Sequence, residues 1–225
     1  MILSIKAIED AGQLEDIKCR LDDLEWRDGR VTAGTVASQV KRNEQADMRN
    51  AAGRAMQEAL MPLIAENVIV KAAARPRNFS QLMISRTRDD GHYGAHVDNA
   101  IMGAGPSRIR TDISFTLFLS DPDSYEGGQL VVHSSGTTQS IKGQAGELVL
   151  YPSSSIHEVT PVTSGERIVC VGWIESLIPD PTRRELLFDM ENLRVCLRQS
   201  LPGNSPELLT LDKTIANLLR MWART

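Results

Sequence analysis

Two stretches near the amino terminus carry apolar residues at intervals of three and four, the spacing of one face of an α-helix. The first predicts a helix that ends near Asp28-Gly29, with an apolar stripe formed by Leu14, Ile17, Leu21 and Leu24. The second, from residue 48 to residue 64, predicts a longer helix. Pro62 lies inside it and removes one backbone donor, so a kink is expected near its end.

Between residues 79 and 175 the pattern changes to short runs rich in β-branched and apolar residues, separated by turns that contain glycine. The clearest strands are predicted at 113–119, 129–133, 146–151 and 167–174. Several short strands at this spacing favour a sandwich or a barrel. We therefore expect a mainly β protein with flanking α-helices.

After Pro179 and Pro181 the helical period returns in two stretches, 186–197 and 208–222. The chain shows no internal repeat and no long linker, which favours a single domain over 1–225. Its predicted parts are a helical N-terminal flank at 1–77, a β core at 78–177 and a C-terminal helical segment at 178–225. The apolar stripes of the end helices predict either packing on the sheet or a homodimer.

Composition limits the partners. The 225 residues include 25 Lys and Arg against 29 Asp and Glu, a net charge of −4, which is too balanced for whole-chain attraction to nucleic acid or an anionic membrane. Aromatic residues for base stacking are also few, so a nucleic acid partner is not expected. No apolar run reaches about 18 residues, so no membrane span is expected. Three scattered cysteines without a CxxC pair, and no recognisable signal peptide, favour a cytoplasmic location.

The common nucleophile and phosphate motifs are missing. The chain contains no GxSxG, GxxxxGK[ST], GxGxxG or HExxH sequence. Three serines at 153–155 lie close to His157, but a serine triad also needs an orienting acid and an oxyanion pocket. We interpret these serines as a turn rich in hydroxyl groups.

The most informative residues are His96, Asp98 and His157. Side chains alternate along an extended strand, so His96 and Asp98 point to one face, as two ligands of one metal must. His157 lies in another strand-like run and is the predicted third ligand. Two imidazoles and a carboxylate are the ligand set of non-haem Fe(II) oxygenases, although zinc accepts the same three ligands with a water.

Arg167 is the candidate for holding an anion beside that metal. It follows His157 by ten residues, and residues 163–166 predict a hairpin turn between them. Such a turn would put Arg167 on the adjacent strand, roughly 16 Å along it from His157. A five-carbon diacid could bridge that gap, because a guanidinium grips a carboxylate with paired hydrogen bonds. The alternative is a solvated turn residue.

Other polar residues near these positions leave alternatives open. Tyr93 either lines the pocket or packs, and Asn99 either orients Asp98 or caps the next turn. His92 and His133 are expected to lie outside the site. A basic cluster either faces an acidic substrate or forms a solvated surface; it consists of Arg86, Arg88, Arg108 and Arg110.

The residues resemble a known family. HVD at 96–98, His157 and Arg167 look like the HxD…H…R signature of Fe(II)- and 2-oxoglutarate-dependent dioxygenases of the prolyl-4-hydroxylase-like branch. The match is closer still to the bacterial PKHD-type hydroxylases and runs nearly end to end. Its blocks are WRDGRVTAG at 26–34, YGAHVDNA at 93–100, EGGQLVV at 126–132, YPSSSIHEVTPVTSGERIVCVGWIESL at 151–177 and RRELLFDM at 183–190.

This resemblance implies a double-stranded β-helix, or jelly roll, as the core. It also implies an enzyme that uses Fe(II), 2-oxoglutarate and O2 to hydroxylate an unactivated C–H bond, releasing succinate and CO2, with ascorbate as a further candidate cofactor. By position, the iron ligands would be His96, Asp98 and His157, and the 2-oxoglutarate anchor would be Arg167. Relatives tend to place a tyrosine near position 87, where this chain has Thr87, whose hydroxyl reaches less far.

Three functional hypotheses follow. The first is hydroxylation of a substrate that is a peptide or protein, at a prolyl residue. The second keeps the chemistry and changes the substrate to a free amino acid or a nucleic acid base. The third is a metal-binding jelly-roll module without catalysis.

Overall fold

The computed structural model describes residues 1–32, 40–134 and 136–225, and the last two residues of the WRDGRVTAG block lie outside these ranges. The α-helices in the described ranges are α1 (Ala11–Leu21), α2 (Ala51–Ala65), α3 (Val68–Ala74), α4 (Pro181–Arg198) and α5 (Pro206–Trp222). The strands of the amino-terminal half are β1 (Leu3–Lys6), β2 (Trp26–Asp28), β3 (Lys41–Arg42), β4 (Glu44–Ala46), β5 (Pro76–Phe79), β6 (Met83–Thr87), β7 (His92–His96), β8 (Ile101–Met102) and β9 (Ile109–Arg110). Those that follow are β10 (Ile113–Phe118), β11 (Tyr125–Gly127), β12 (Leu130–Ser134), β13 (Thr137–Ile141), β14 (Glu147–Pro152), β15 (Ile156–Val159), β16 (Val162–Gly165) and β17 (Arg167–Ser176).

Two antiparallel sheets form the core. The larger has the order β1-β14-β10-β17-β6-β4-β2, with β5 also paired to β17, and the smaller has the order β13-β12-β15-β7-β3. Their inner faces share an apolar cluster to which β10 contributes Phe118, β17 contributes Val169 and β12 contributes Leu130 and Val132. This arrangement confirms the predicted mainly β fold with flanking helices and a jelly-roll core.

The helices cover one side of the larger sheet. Met56, Leu60 and Ile64 of α2 are fully buried in one cluster with Phe115 and Leu117 of β10. Strand β10 is therefore buried on both faces, because its intervening residues Ser114 and Thr116 point to the cavity between the sheets. Helices α4 and α5 bury a smaller cluster that includes Leu187 and Ile215.

The periodicities predicted most of these helices and strands, with three differences. Helix α1 ends at Leu21 rather than near Asp28-Gly29, because the chain turns after Leu21 and residues 26–28 pair as β2. Helix α2 continues past Pro62 to Ala65, since the proline lies in the last turn. The N-terminal flank, expected to be helical, also supplies β1, β2 and β4 to the larger sheet and β3 to the smaller. These strands are short, so they carry little alternating pattern of their own. Within the described residues, no helix combines the length and apolarity needed to cross a membrane.

Candidate metal centre

Two neighbouring strands of the smaller sheet bring the predicted ligands together. His96 ends β7 and His157 lies in β15, and their Cα atoms are direct partners in the antiparallel register. Asp98 follows two residues after His96. One ligand atom from each of His96, Asp98 and His157 lies within 4.8 Å of the others. The pairing of β7 with β15 brings the two histidines together, and the segment that follows β7 places Asp98 beside them.

Backbone carbonyls orient both imidazoles. His96 Nδ1 lies 2.8 Å from the carbonyl oxygen of Gly94, and His157 Nδ1 lies 3.0 Å from that of Ser155. A carbonyl oxygen only accepts, so each Nδ1 carries the hydrogen in these contacts. That tautomer leaves the Nε2 lone pair of each ring for a metal. Burial, reinforced by the neighbouring His157, lowers the pKa of His96 to about 4, so its ring is neutral near pH 7.

A pair of serines holds the carboxylate. Ser114 Oγ of β10 donates to Asp98 Oδ2 at 2.6 Å and is 2.7 Å from Ser153 Oγ. Hydrogen bonds of this kind fix a ligating carboxylate in one orientation. The sequence interpretation missed Ser114 and treated Ser153 only as part of a turn, because the chain of contacts from Ser153 through Ser114 to Asp98 joins three segments that are distant in the sequence.

Arg167 lies in the same cavity, but it belongs to a different sheet from the one that was predicted. Residues 162–165 are not a hairpin turn: they form β16, which pairs with β11, and β15 and β17 belong to different sheets. The predicted placement of Arg167 on a strand adjacent to His157 is therefore wrong. Arg167 opens β17 in the larger sheet, and both residues line the cavity between the sheets.

The Arg167 side chain is enclosed. It is 2% exposed, and burial lowers its pKa. Its Nε has no hydrogen-bond partner among the residues that the structure describes. Its neighbour across the ladder is Thr87, which is also buried and lines the cavity. A buried cation with an unused donor is suited to binding an anion.

Gly128 makes room for this arginine. Its φ is +66°, and a Cβ added there would lie 2.9 Å from Arg167 Cδ and 2.9 Å from Val162 Cγ2. The absence of a side chain at 128 therefore lets the aliphatic part of Arg167 pass.

Tyr93 and Asn99 both line the cavity. The Tyr93 ring stacks on His96 with centroids 3.6 Å apart, and burial raises the pKa of Tyr93 to about 12, so it stays protonated. Asn99 is exposed, and its carbonyl oxygen accepts a hydrogen bond from Thr111 Oγ1 at 2.6 Å. Tyr93 therefore lines the pocket, as one of the two alternatives proposed.

Lys41 is a second buried cation in this cavity, and the sequence interpretation missed it. It lies on β3 opposite Tyr93, with its ammonium 5.1 Å from the centre of the Tyr93 ring. Burial lowers the pKa of Lys41 to about 8. The cavity thus carries positive charge from two strands in addition to its ligand set.

The other histidines and most of the basic cluster lie apart from the centre. His92 contacts the carbonyl oxygen of Asp90, and His133 lies close to Thr138 and Glu158. Among the arginines, Arg86 and Arg88 pair with Glu44, and Arg110 pairs with Asp112, whereas Arg108 is exposed.

Comparisons with known proteins identify the families that this chain resembles. Residues 82–175 match the family model of the 2OG-Fe(II) oxygenase superfamily, and residues 182–224 match that of the PKHD-type hydroxylase C-terminal domain. A PKHD-type hydroxylase from Hyphomonas neptunium is 49% identical over 210 residues, which cover 93% of this chain and 94% of the relative. Another, from Synechococcus elongatus, is 46% identical over 223 residues, covering 99% and 100%.

Solved structures show the same fold at low identity. A viral collagen prolyl hydroxylase from Paramecium Bursaria Chlorella virus-1, in complex with 2OG, is 15% identical with a TM-score of 0.53, covering 78% of this chain and 95% of that chain. A prolyl hydroxylase from Trichoplax adhaerens, in complex with a peptide fragment of hypoxia inducible factor, is 14% identical with a TM-score of 0.56, covering 82% and 86%.

Proposed function

The chain belongs to the PKHD-type hydroxylases, which makes it a dioxygenase of the 2OG-Fe(II) oxygenase superfamily, and we propose that it hydroxylates a prolyl residue in a peptide or protein. The observation that carries the proposal is one cavity that holds both a convergent His-Asp-His set and a buried arginine with an unused donor. Neither feature alone would distinguish this chemistry from a structural metal site.

His96, Asp98 and His157 would hold the iron and are the proposed catalytic residues. Two imidazoles and one carboxylate on one side of an ion leave positions for a cosubstrate and oxygen. The residues present fit such an ion, because the Nδ1 contacts direct both Nε2 atoms to the same place and Ser114 steadies the carboxylate. Zinc would accept the same donors, so the family and Arg167 together favour iron.

Arg167 would bind the far carboxylate of 2-oxoglutarate. A charge-assisted hydrogen bond to a buried guanidinium is strong, and the Nε that lacks a partner would gain one. Thr87, opposite Arg167 on β6, would offer a hydroxyl to the same carboxylate. Its reach is shorter than that of the tyrosine expected near this position, so we propose that Arg167 provides most of the affinity.

When bound, Fe(II) and 2-oxoglutarate supply the oxidation: O2 is consumed, succinate and CO2 are released, and a C–H bond is hydroxylated. The chain binds, orients and shields these groups. Apolar side chains line the cavity between the sheets and keep bulk water from it; they include Leu130, Val159, Val169 and Val171. Ascorbate belongs in the assay because the iron must stay ferrous.

An anaerobic titration tests the iron and cosubstrate sites. Protein mixed with Fe(II) and then 2-oxoglutarate without oxygen should develop a metal-to-ligand charge-transfer absorption band. His96→Ala should abolish that band. His92→Ala is the matched control, since His92 lies on the same strand without lining the cavity, and it should keep the band.

The substrate is tested by adding oxygen, ascorbate and proline-containing peptides and measuring succinate together with hydroxylated peptide by mass spectrometry. A charge-transfer band without peptide hydroxylation would redirect the search to a free amino acid or a nucleic acid base. An unchanged spectrum on adding both Fe(II) and 2-oxoglutarate would favour the metal-binding module without catalysis. A cytoplasmic location and the oligomeric state stay predictions.

A further inference from the structure

A second cavity adjoins the metal centre. It has a volume of about 770 Å³ and shares a wall with the first cavity, made of Gln45, Met83, Met102 and Trp173. Its remaining apolar lining includes Met48, Phe79, Leu82 and Ile109. We call it the recognition cavity, because a molecule seated in it would lie beside the proposed reacting site.

Trp173 carries an unused donor in the shared wall. The residue is 8% exposed, and its indole Nε1 has no hydrogen-bond partner within the described ranges of the chain. Its backbone is held in place, since Ser80 Oγ accepts a hydrogen bond from Trp173 N at 2.9 Å and Ser80 N donates to the Trp173 carbonyl at 2.9 Å. An indole N–H only donates, and buried donors are normally paired. The wall therefore lacks an acceptor at this point.

The lining of the recognition cavity contains more basic than acidic side chains. Its charged lining consists of Arg27, Asp28, Asp47, Arg49 and Arg108. Both carboxylates already have partners. Asp28 binds Arg30, and Asp47 binds Arg27 and Arg49.

Arg108 differs from its neighbours. It is exposed in the loop that connects β8 and β9, and its guanidinium makes no ion pair or hydrogen bond with the residues that the structure describes. The other three arginines of the basic cluster are ion-paired. Arg108 is therefore the arginine of the basic cluster whose charge is available to pair with a ligand in the recognition cavity.

We propose that the recognition cavity binds the peptide substrate, with Trp173 Nε1 donating to a backbone carbonyl and Arg108 pairing with an acidic side chain beside the hydroxylated proline. The proposal rests on the proposed function, which requires a prolyl peptide, and adds the acidic flank. A peptide supplies a carbonyl acceptor, an apolar ring and a carboxylate at short spacing. The methionines of the lining suit varied side chains, because their unbranched chains adapt in shape.

Three pools of labelled nonapeptides test the charge preference. Each has capped ends, a central proline and Glu, Gln or Lys at both flanking positions, with the other positions randomised. Binding is measured by fluorescence anisotropy to protein loaded with Fe(II) and 2-oxoglutarate under argon, so that no turnover occurs. The Glu pool should bind best and the Lys pool worst, with steps of roughly two- to fivefold, as expected for an exposed ion pair.

Arg108→Glu should reverse the order of the three pools. The matched control is Arg20→Glu, which makes the same charge change at an exposed position of α1, away from both cavities. It should leave the order unchanged. Equal binding of the Glu and Lys pools to the unmodified protein would overturn the proposal, and so would an Arg108→Glu protein that still prefers Glu.

Trp173→Phe tests the hydrogen bond while keeping an aromatic ring. It should weaken binding of the Glu pool about fivefold, the effect of one hydrogen bond. It should not lower the melting temperature of the free protein, since Nε1 has no hydrogen-bond partner among the described residues. Unchanged affinity in a folded Trp173→Phe protein would contradict the proposed contact.

The same samples separate this proposal from the proposed function. A normal charge-transfer band with no binding of any pool would overturn the peptide assignment and leave the iron and 2-oxoglutarate chemistry standing. A missing band would instead count against the proposed function. Even without the band, peptide binding in the recognition cavity would be supported if the Glu pool binds best and Arg108→Glu reverses the order of the pools.

Discussion

The metal centre and the recognition cavity share a wall but are built differently. In the metal centre, His157 and Arg167 are 4% and 2% exposed, and a backbone carbonyl or a neighbouring side chain orients each proposed ligand. In the recognition cavity, the charge that we assign to recognition lies on an exposed loop between two short strands, β8 and β9. A site on paired strands holds its geometry better than a site on a loop.

This difference suggests a division of labour. The oxidation needs the same atoms in the same places for every substrate, so rigid and buried positions suit it. Recognition tolerates small movements, and loop residues change without disturbing the sheets. Variants in the metal centre should therefore alter metal and 2-oxoglutarate binding, whereas variants in the recognition cavity should alter peptide binding.

The largest effect is expected at Arg167. Arg167→Met removes the proposed partner of a carboxylate, so 2-oxoglutarate should bind about 10- to 100-fold more weakly, the cost of a charge-assisted hydrogen bond. The free energy of unfolding should not fall, because the variant no longer buries a charge whose Nε has no hydrogen-bond partner in the described part of the chain. Anaerobic titration of the charge-transfer band and thermal unfolding measure the two quantities.

Arg108→Met is the control that links this prediction to the comparison between cavities. It should leave 2-oxoglutarate affinity unchanged and weaken binding of acidic peptides. Equal losses of 2-oxoglutarate affinity in both variants would mean that the two cavities do not separate cosubstrate from substrate.

A smaller effect is expected at Ser114, which donates to Asp98. Ser114→Ala should weaken metal affinity by about tenfold, because residues that orient a ligand typically contribute 10- to 100-fold. Ser153→Ala should have less effect, since Ser153 contacts Ser114 and acts on the carboxylate only through it. Calorimetric titration with Mn(II) measures both. A greater loss in Ser153→Ala than in Ser114→Ala would refute this order.

The residues that could be predicted from sequence are those whose position follows from a local pattern. The spacing of His96 and Asp98 predicts that they share one face, and helical spacing predicts α1, α2, α4 and α5. The approach of His157 to His96 and Asp98 could also be predicted, because a β-rich stretch with one distal histidine offers few ways to complete the ligand set.

The remaining features depend on contacts between distant segments. Ser114, Gly128 and Lys41 come from three separate parts of the chain, and none has a local signature of its role. The prediction of a hairpin at 163–166 was wrong, because Gly165 was interpreted as part of a turn between two neighbouring strands. Gly165 does have a positive φ of 73°, but β16 pairs with β11, some forty residues earlier. Local turn chemistry does not reveal such a partner.

The smallest effect is expected on stability, at Lys41. Its pKa is about 8 in the folded protein, against 10.5 for an ordinary lysine, because burial disfavours the charged form. The folded state therefore binds fewer protons than the unfolded state between these values, and stability should rise with pH across that window. Below pH 8 the full cost of burying the ammonium is present.

Lys41→Met removes this cost, so the variant should be more stable than the unmodified protein near pH 7, by on the order of 1 kcal/mol. The advantage should shrink as the pH rises from 8 towards 10.5, where the unmodified lysine is neutral in the folded state. Arg108→Met, a change at an exposed cation in the recognition cavity, should show no such trend. Denaturant unfolding at several pH values measures both differences. If the stability difference between Lys41→Met and the unmodified protein stays constant with pH, burial does not penalise charge in the metal centre. The contrast between the two cavities would then rest on geometry alone.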